Sequence, residues 1–178
     1  MEIKAIETQY KGYRFRSRLE ARWAVLFDAL GVEWIYEKEG FDLGNAGWYL
    51  PDFWLPHPTK EQAEIGWGLW CEIKPIRTTE QELQKAIALA AQTKHNVLIF
   101  QGNCGEGEYE VTKINAVHHD PPQIFTGLRF VDDDGFLQLK NDTGMASSPT
   151  VFYRDLYAAF RLARSARFEH GESPQTGA

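Results

Sequence analysis

Two short clusters in this chain carry residue types that could do chemistry together: Pro51-Asp52 and, further on, Glu72-Ile73-Lys74 inside an apolar segment. Two carboxylates and a lysine brought to one place are the minimum equipment for metal-assisted cleavage of a phosphodiester. Residues two apart on a strand share a face, so Glu72 and Lys74 are expected to point together while Cys71 and Ile73 point into the opposite layer. Glu72 can then hold a cation, and Lys74 can meet a scissile phosphate or the water beside it.

The elements that must position these residues are read from breakers and periodicity. Residues Ile3 to Phe15 form a lead-in strand or loop broken at Gly12. Ser17 reads as an N-cap with Glu20 as its capping-box partner, opening a helix to about Leu30 that Gly31 stops. Leu19, Trp23, Leu26, Phe27 and Leu30 make one apolar stripe, with Glu20 at its edge. Glu20 therefore has two readings, a helix cap and an acid at the border of a site. Strands are expected at Trp34 to Glu37, Trp48 to Trp54 and Leu69 to Lys74, with Gly44, Asn45 and Gly47 returning the first to the second. Pro51 lacks an N–H to give to a ladder, which places an edge or bulge where Asp52 can leave the sheet. Pro56 to Gly68 reads as a surface loop. After Pro75, Thr79 and Glu82 form another capping box, and Leu83, Ile87 and Ala90 stripe a helix ending near Lys94. Val97 to Phe100 then reads as a buried strand, parallel to Leu69 to Lys74 through a right-handed crossover.

Asp52, Glu72 and Lys74, with Glu20 on the preceding helix and this order of elements, resemble the PD-(D/E)XK nuclease superfamily over roughly Tyr10 to Phe100. The resemblance implies an α/β (α+β) restriction-endonuclease-like fold: an αβββαβ core with a mixed central sheet flanked by helices. It implies that Asp52, Glu72 and the Ile73 backbone carbonyl ligate Mg²⁺, with Mn²⁺ able to substitute. It makes Lys74 the catalytic lysine and lets Glu20 complete the site. The small size is similar to that of phage or mobile-element nucleases and junction resolvases.

Beyond the core, Tyr109 to Ile114, Leu128 to Asp132 and Phe136 to Leu139 read as short strands, the last two joined by a turn at Asp133-Asp134-Gly135. The run Asp132 to Asp134 lacks the ligand pattern of an EF-hand and reads as a polar turn. His118-His119-Asp120 reads as a solvated loop. A final helix is expected from Tyr153 to Arg167. The chain is thus expected to form one nuclease domain over 1–168, with its core over about 10–101 and a β extension and terminal helix over 102–168. Residues 169–178 are expected to be a disordered tail.

Composition narrows the partners. The 178 residues suffice for a sizeable core, and 43% hydrophobic with 13% aromatic content argues for an ordered protein. Cys71 and Cys104 lack any zinc spacing and suit a reduced compartment. No run approaches the ~18 apolar residues of a membrane span, and Met1-Glu2-Ile3-Lys4 lacks the pattern of a signal peptide, so a cytoplasmic location is expected, the host cytoplasm for a phage protein. A net charge of −6 runs against generic phosphate binding. The distribution offsets this: Lys11, Arg14, Arg16, Arg18 and Arg22 cluster around Glu20, and Arg161, Arg164 and Arg167 cluster near the end. Each cluster reads equally as a solvated helix face or as a phosphate-tracking groove. Of Trp48, Trp54, Trp67 and Trp70, at least two are expected to pack the core, while stacking on unpaired bases is open to the others.

The expected activity is Mg²⁺-dependent endonucleolytic hydrolysis of DNA, with branched or junction DNA as a candidate substrate and a homodimer to cut two strands. Lys74 would orient or deprotonate the attacking water, or neutralise transition-state charge. Two alternatives stay open: a catalytically idle nucleic-acid-binding or assembly module of the same fold, and an exonuclease or RNA-directed nuclease.

Overall fold

The computed structural model describes residues 7–105, 107–116, 121–133, 136–140, 146–152 and 156–168. Two strands, β1 (Thr8–Tyr10) and β2 (Tyr13–Phe15), form an antiparallel hairpin rather than a single lead-in. Lys11 and Gly12, both at positive φ, make its two-residue turn, the backbone that matches strand twist in a tight hairpin. Helix α1 (Arg18–Ala29) follows, with the Ser17 hydroxyl accepting from the Glu20 N–H as expected of an N-cap. Gly31, at φ +71°, ends the turn after it.

Next come β3 (Ile35–Tyr36), β4 (Phe41–Asp42), β5 (Trp48–Tyr49), β6 (Phe53–Pro56) and β7 (Gly68–Lys74). The expected strand from Trp48 to Trp54 is two strands. Trp48 and Tyr49 pair with β4 in a separate two-stranded flap closed by a 3-10 turn at Gly44–Ala46, while β6 pairs with β3 and β7. Pro51 accounts for the break, since it has no N–H for a ladder. The expected loop between Pro56 and Gly68 contains a short helix, α2 (Lys60–Glu64).

Helix α3 (Glu80–Thr93) opens with the complete Thr79/Glu82 capping box. It leads to β8 (Asn96–Gly102), which runs parallel to β7, as the crossover requires. Three antiparallel additions follow: β9 (Tyr109–Asn115), β10 (Gln123–Asp133) and β11 (Phe136–Lys140). A fourth, β12 (Ala146–Phe152), was not anticipated from the sequence. It lies at the sheet edge, and its Pro149 falls where the pairing with β11 shifts register, a place a residue without an N–H can occupy. Helix α4 (Leu156–Ser165) stops short of the expected Arg167. His118-His119-Asp120, the Asp134-Gly135 turn and the 169–178 tail lie outside the described residues.

The result is a mixed eight-stranded sheet, ordered β12-β11-β10-β9-β8-β7-β6-β3, with helices on both faces. Strand alternation divides the core. Phe53, Cys71, Ile73, Leu98 and Phe100 pack toward α1 and α4 together with Trp23 and Phe27. Trp54, Trp70, Val97 and Ile99 pack toward Ala86, Leu89 and Ala90 of α3. Each such large apolar side chain contributes about 1.5–3 kcal/mol on full burial. β7 is covered on both faces, so its one acid, Glu72, stands out as a charge set inside a core strand. Among the described residues no helix is long and apolar enough to cross a membrane.

Candidate active site

The site is made by a difference in strand length. The β6–β7 ladder ends at the pair Phe53 and Cys71, whereas the parallel β7–β8 ladder continues to Lys74 and Gln101. Residues 72–74 therefore project past β6, and the backbone groups on that edge need other partners. Asp52, immediately before β6, supplies one: its Oδ2 accepts from the Ile73 N–H at 2.7 Å. In a strand the N–H and C=O of one residue face the same neighbour, so the Ile73 carbonyl is directed to Asp52's side as well.

Asp52, Glu72 and Glu20 are all buried, at 3%, 6% and 8% exposure. Burial, then the Glu72 charge, then the Glu20 charge drive the Asp52 carboxyl well above its usual range, against the opposing Ile73 N–H and the Arg16 guanidinium. Ionised, Asp52 sits in a place built for something positive. Lys74 Nζ donates to Glu72 Oε1 at 2.8 Å and to Glu82 Oε1 at 3.0 Å. Burial works against its charge, yet Glu72 and Glu82 outweigh this and raise its pKa. Among the described residues the other Glu72 oxygen, Oε2, is buried and meets no donor in hydrogen-bond geometry, although the Tyr49 hydroxyl lies beside Glu72. An orphaned carboxylate oxygen in a core costs free energy unless a ligand satisfies it.

Glu20 lies close enough to act on Asp52, but its oxygens are occupied. Oε1 accepts from the Ser17 hydroxyl at 2.6 Å, and Oε2 accepts from the Tyr36 hydroxyl at 2.6 Å and the Arg16 N–H at 3.2 Å. Of its two sequence readings, the helix-start role is formed in part: the Ser17 hydroxyl and the Arg16 N–H hold Glu20, in place of the Ser17 N–H that a complete capping box uses. Among the described residues no group of three or more His, Cys, Asp and Glu side chains converges as a cation cage. Asp52, Glu72 and the Ile73 carbonyl offer hard oxygen donors of the kind Mg²⁺ takes, and because Mg²⁺ keeps several waters in its shell, two carboxylates and a carbonyl could hold it.

The basic cluster is dispersed. Lys11 pairs with Asp28 at 2.8 Å, Arg14 with Glu7, and Arg16 with both Glu37 and Asp52, each at 2.7 Å. Arg18 and Arg22 lie on α1, the Arg22 Nε buried without a hydrogen-bond partner among the described residues. Arg164 pairs with Glu108 at 2.8 Å. Of the four tryptophans, Trp54 and Trp70 pack with ring centroids 4.6 Å apart, while Trp48 and Trp67 are exposed.

Three participants were not legible in the sequence. Arg16 appeared as one of five basic residues, not as the partner of Asp52. Tyr49 comes from the β4–β5 flap; burial, Glu72 and Asp52 hold its hydroxyl far above the usual tyrosine range, as a neutral donor beside Glu72. Glu82 was read as a cap and also holds Lys74. Only Glu82 had a usable signal, since a capping box soon after Pro75 sets the α3 N-terminus against the end of β7. Comparison with protein-family models, with curated proteins and with solved structures finds no match for this chain.

Proposed function

We propose that the protein is a Mg²⁺-dependent endodeoxyribonuclease with a restriction-endonuclease-like core formed by α1, β3, β6, β7, α3 and β8. The observation that carries this reading is the buried, unpartnered Glu72 Oε2 beside Asp52, with Lys74 fixed on the other Glu72 oxygen. A buried carboxylate oxygen without a donor costs free energy, and a cation would satisfy it.

Asp52, Glu72 and the Ile73 carbonyl would hold Mg²⁺, which when bound lowers the pKa of a water and offsets phosphoryl charge. Asp52 keeps its carboxylate aligned by its bond to the Ile73 N–H. Lys74 spends two of its three N–H donors on Glu72 and Glu82, leaving the third for a phosphate oxygen or the attacking water. Glu72 and Glu82 favour the charged form of Lys74, and a cation bound to Glu72 would act against it. Glu82 and Tyr49 orient Lys74 and Glu72 and touch no substrate in this scheme.

The test is cleavage of supercoiled plasmid, linear duplex, single strands and a four-way junction in Mg²⁺ or Mn²⁺, with Lys74→Ala in parallel. Metal-dependent cutting of closed circles, lowered at least about 10³-fold by Lys74→Ala, is expected. Digestion of linear DNA alone would move the reading to an exonuclease. No cutting by folded protein would favour an idle binding module.

A further inference from the structure

Arg16 holds a contact in the site that a bound cation must contend with. Its guanidinium donates to Asp52 Oδ1 at 2.7 Å, and Asp52 is one of the two carboxylates assigned to the metal. The fork is not spent on a single carboxylate. One nitrogen donates to Asp52, and Nε forms an ion pair with Glu37 Oε1, also at 2.7 Å, so the Asp52 bond can break while the ion pair persists.

The surroundings hold the Arg16 backbone while its side chain reaches out to the two carboxylates. Its backbone N–H is held by Glu20 Oε2 at 3.2 Å and the Tyr36 hydroxyl at 3.0 Å. The side chain itself is 54% exposed, against 4% for Asp52. Glu37 is a firm pivot, because its own N–H donates to the Asp52 carbonyl at 2.8 Å. Asp52, by contrast, faces Glu72 and Glu20, whose charges leave it short of positive partners.

We propose that Arg16 is the resident counter-cation of the acidic site: it neutralises Asp52 in the free protein and yields it, swinging about Glu37, when a divalent cation enters. This rests on the metal-site reading above. Two effects act in one direction. The arriving cation replaces Arg16 on Asp52, and its charge repels the guanidinium from the site. The released arm remains at the mouth through Glu37, with donors free for a phosphate.

Mn²⁺ binding to DNA-free protein, measured by calorimetry on wild type, Arg16→Gln and Arg16→Lys, reads this without recourse to cleavage. Arg16→Gln is expected to bind Mn²⁺ about tenfold more tightly, roughly one charge-assisted hydrogen bond removed from the competitor. Arg16→Lys keeps a charge but loses the planar fork that spans both carboxylates, and its affinity should fall between the two. It also serves as the reporter if Arg16→Gln does not fold. Equal or weaker binding in the variants would overturn the exchange, with Arg16 simply bracing Asp52, and would leave the nuclease reading standing. No Mn²⁺ binding by any of the three proteins would sink both.

Discussion

Buried or half-buried carboxylates lie at each end of helix α1, and the two ends are finished differently. Near its C-terminus, Asp28 accepts from the Tyr10 hydroxyl at 2.7 Å and the Trp34 indole at 3.2 Å, and pairs with Lys11 at 2.8 Å. One carboxylate meets three donors, and the β1–β2 hairpin is tied to the helix. Near its N-terminus, Glu20, Asp52 and Glu72 share Arg16 and Lys74, and among the described residues Glu72 Oε2 meets no donor in hydrogen-bond geometry. A satisfied cluster adds stability and locks a hairpin in place. An unsatisfied one of the same chemistry stores a demand that a ligand can meet.

The sharpest way to break this contrast is to mutate the two ends and compare the signs. Asp28→Ala should destabilise the protein by about 2 kcal/mol, because it strips Tyr10 and Trp34 of their acceptor. For a domain of this size that is a fall in Tm of roughly 4–8 °C, readable by calorimetry, with Mn²⁺ binding unchanged. Unchanged stability would show that the two ends are not distinct.

Asp52→Asn should act the other way in EDTA. The Asp52 pKa is raised on folding, so its contribution to stability is full below the unfolded value and is lost as pH rises toward the folded one. Asn carries no such penalty. The variant is therefore expected to match wild type below about pH 4 and to exceed it by about 1 kcal/mol or more at pH 7. Arg16, half-exposed and still paired with Glu37, does not become a buried unpaired charge. Thermal melts across pH would check this, and a lower Tm for Asp52→Asn at pH 7 would refute it. Added Mn²⁺ should stabilise wild type only.

The smallest effect belongs to Tyr49→Phe. It removes a hydroxyl that Glu72 and burial keep protonated, so a change of only about threefold in Mn²⁺ affinity or cleavage rate is expected, with stability altered by less than about 1 kcal/mol. Complete loss of activity would promote Tyr49 from an orienting group to a reacting one.

The sequence by itself determined what short-range periodicity and turn chemistry can carry. The two-residue period put Glu72 and Lys74 together and Cys71 and Ile73 opposite them. Ser17 and Thr79 opened α1 and α3 through local cap bonds, and Pro51 announced the place where Asp52 leaves the sheet. Its strand from Trp48 to Trp54 failed at that same proline, because the pattern shows an interruption but not which neighbour each half then finds. Tertiary structure alone decided the pairings. The β4–β5 flap brought Tyr49 to Glu72, unequal ladder lengths exposed the Ile73 edge to Asp52, and Arg16 met Asp52 across 36 residues of chain. These contacts depend on sheet register and on which backbone groups are left unpaired, quantities fixed only when the whole sheet has formed.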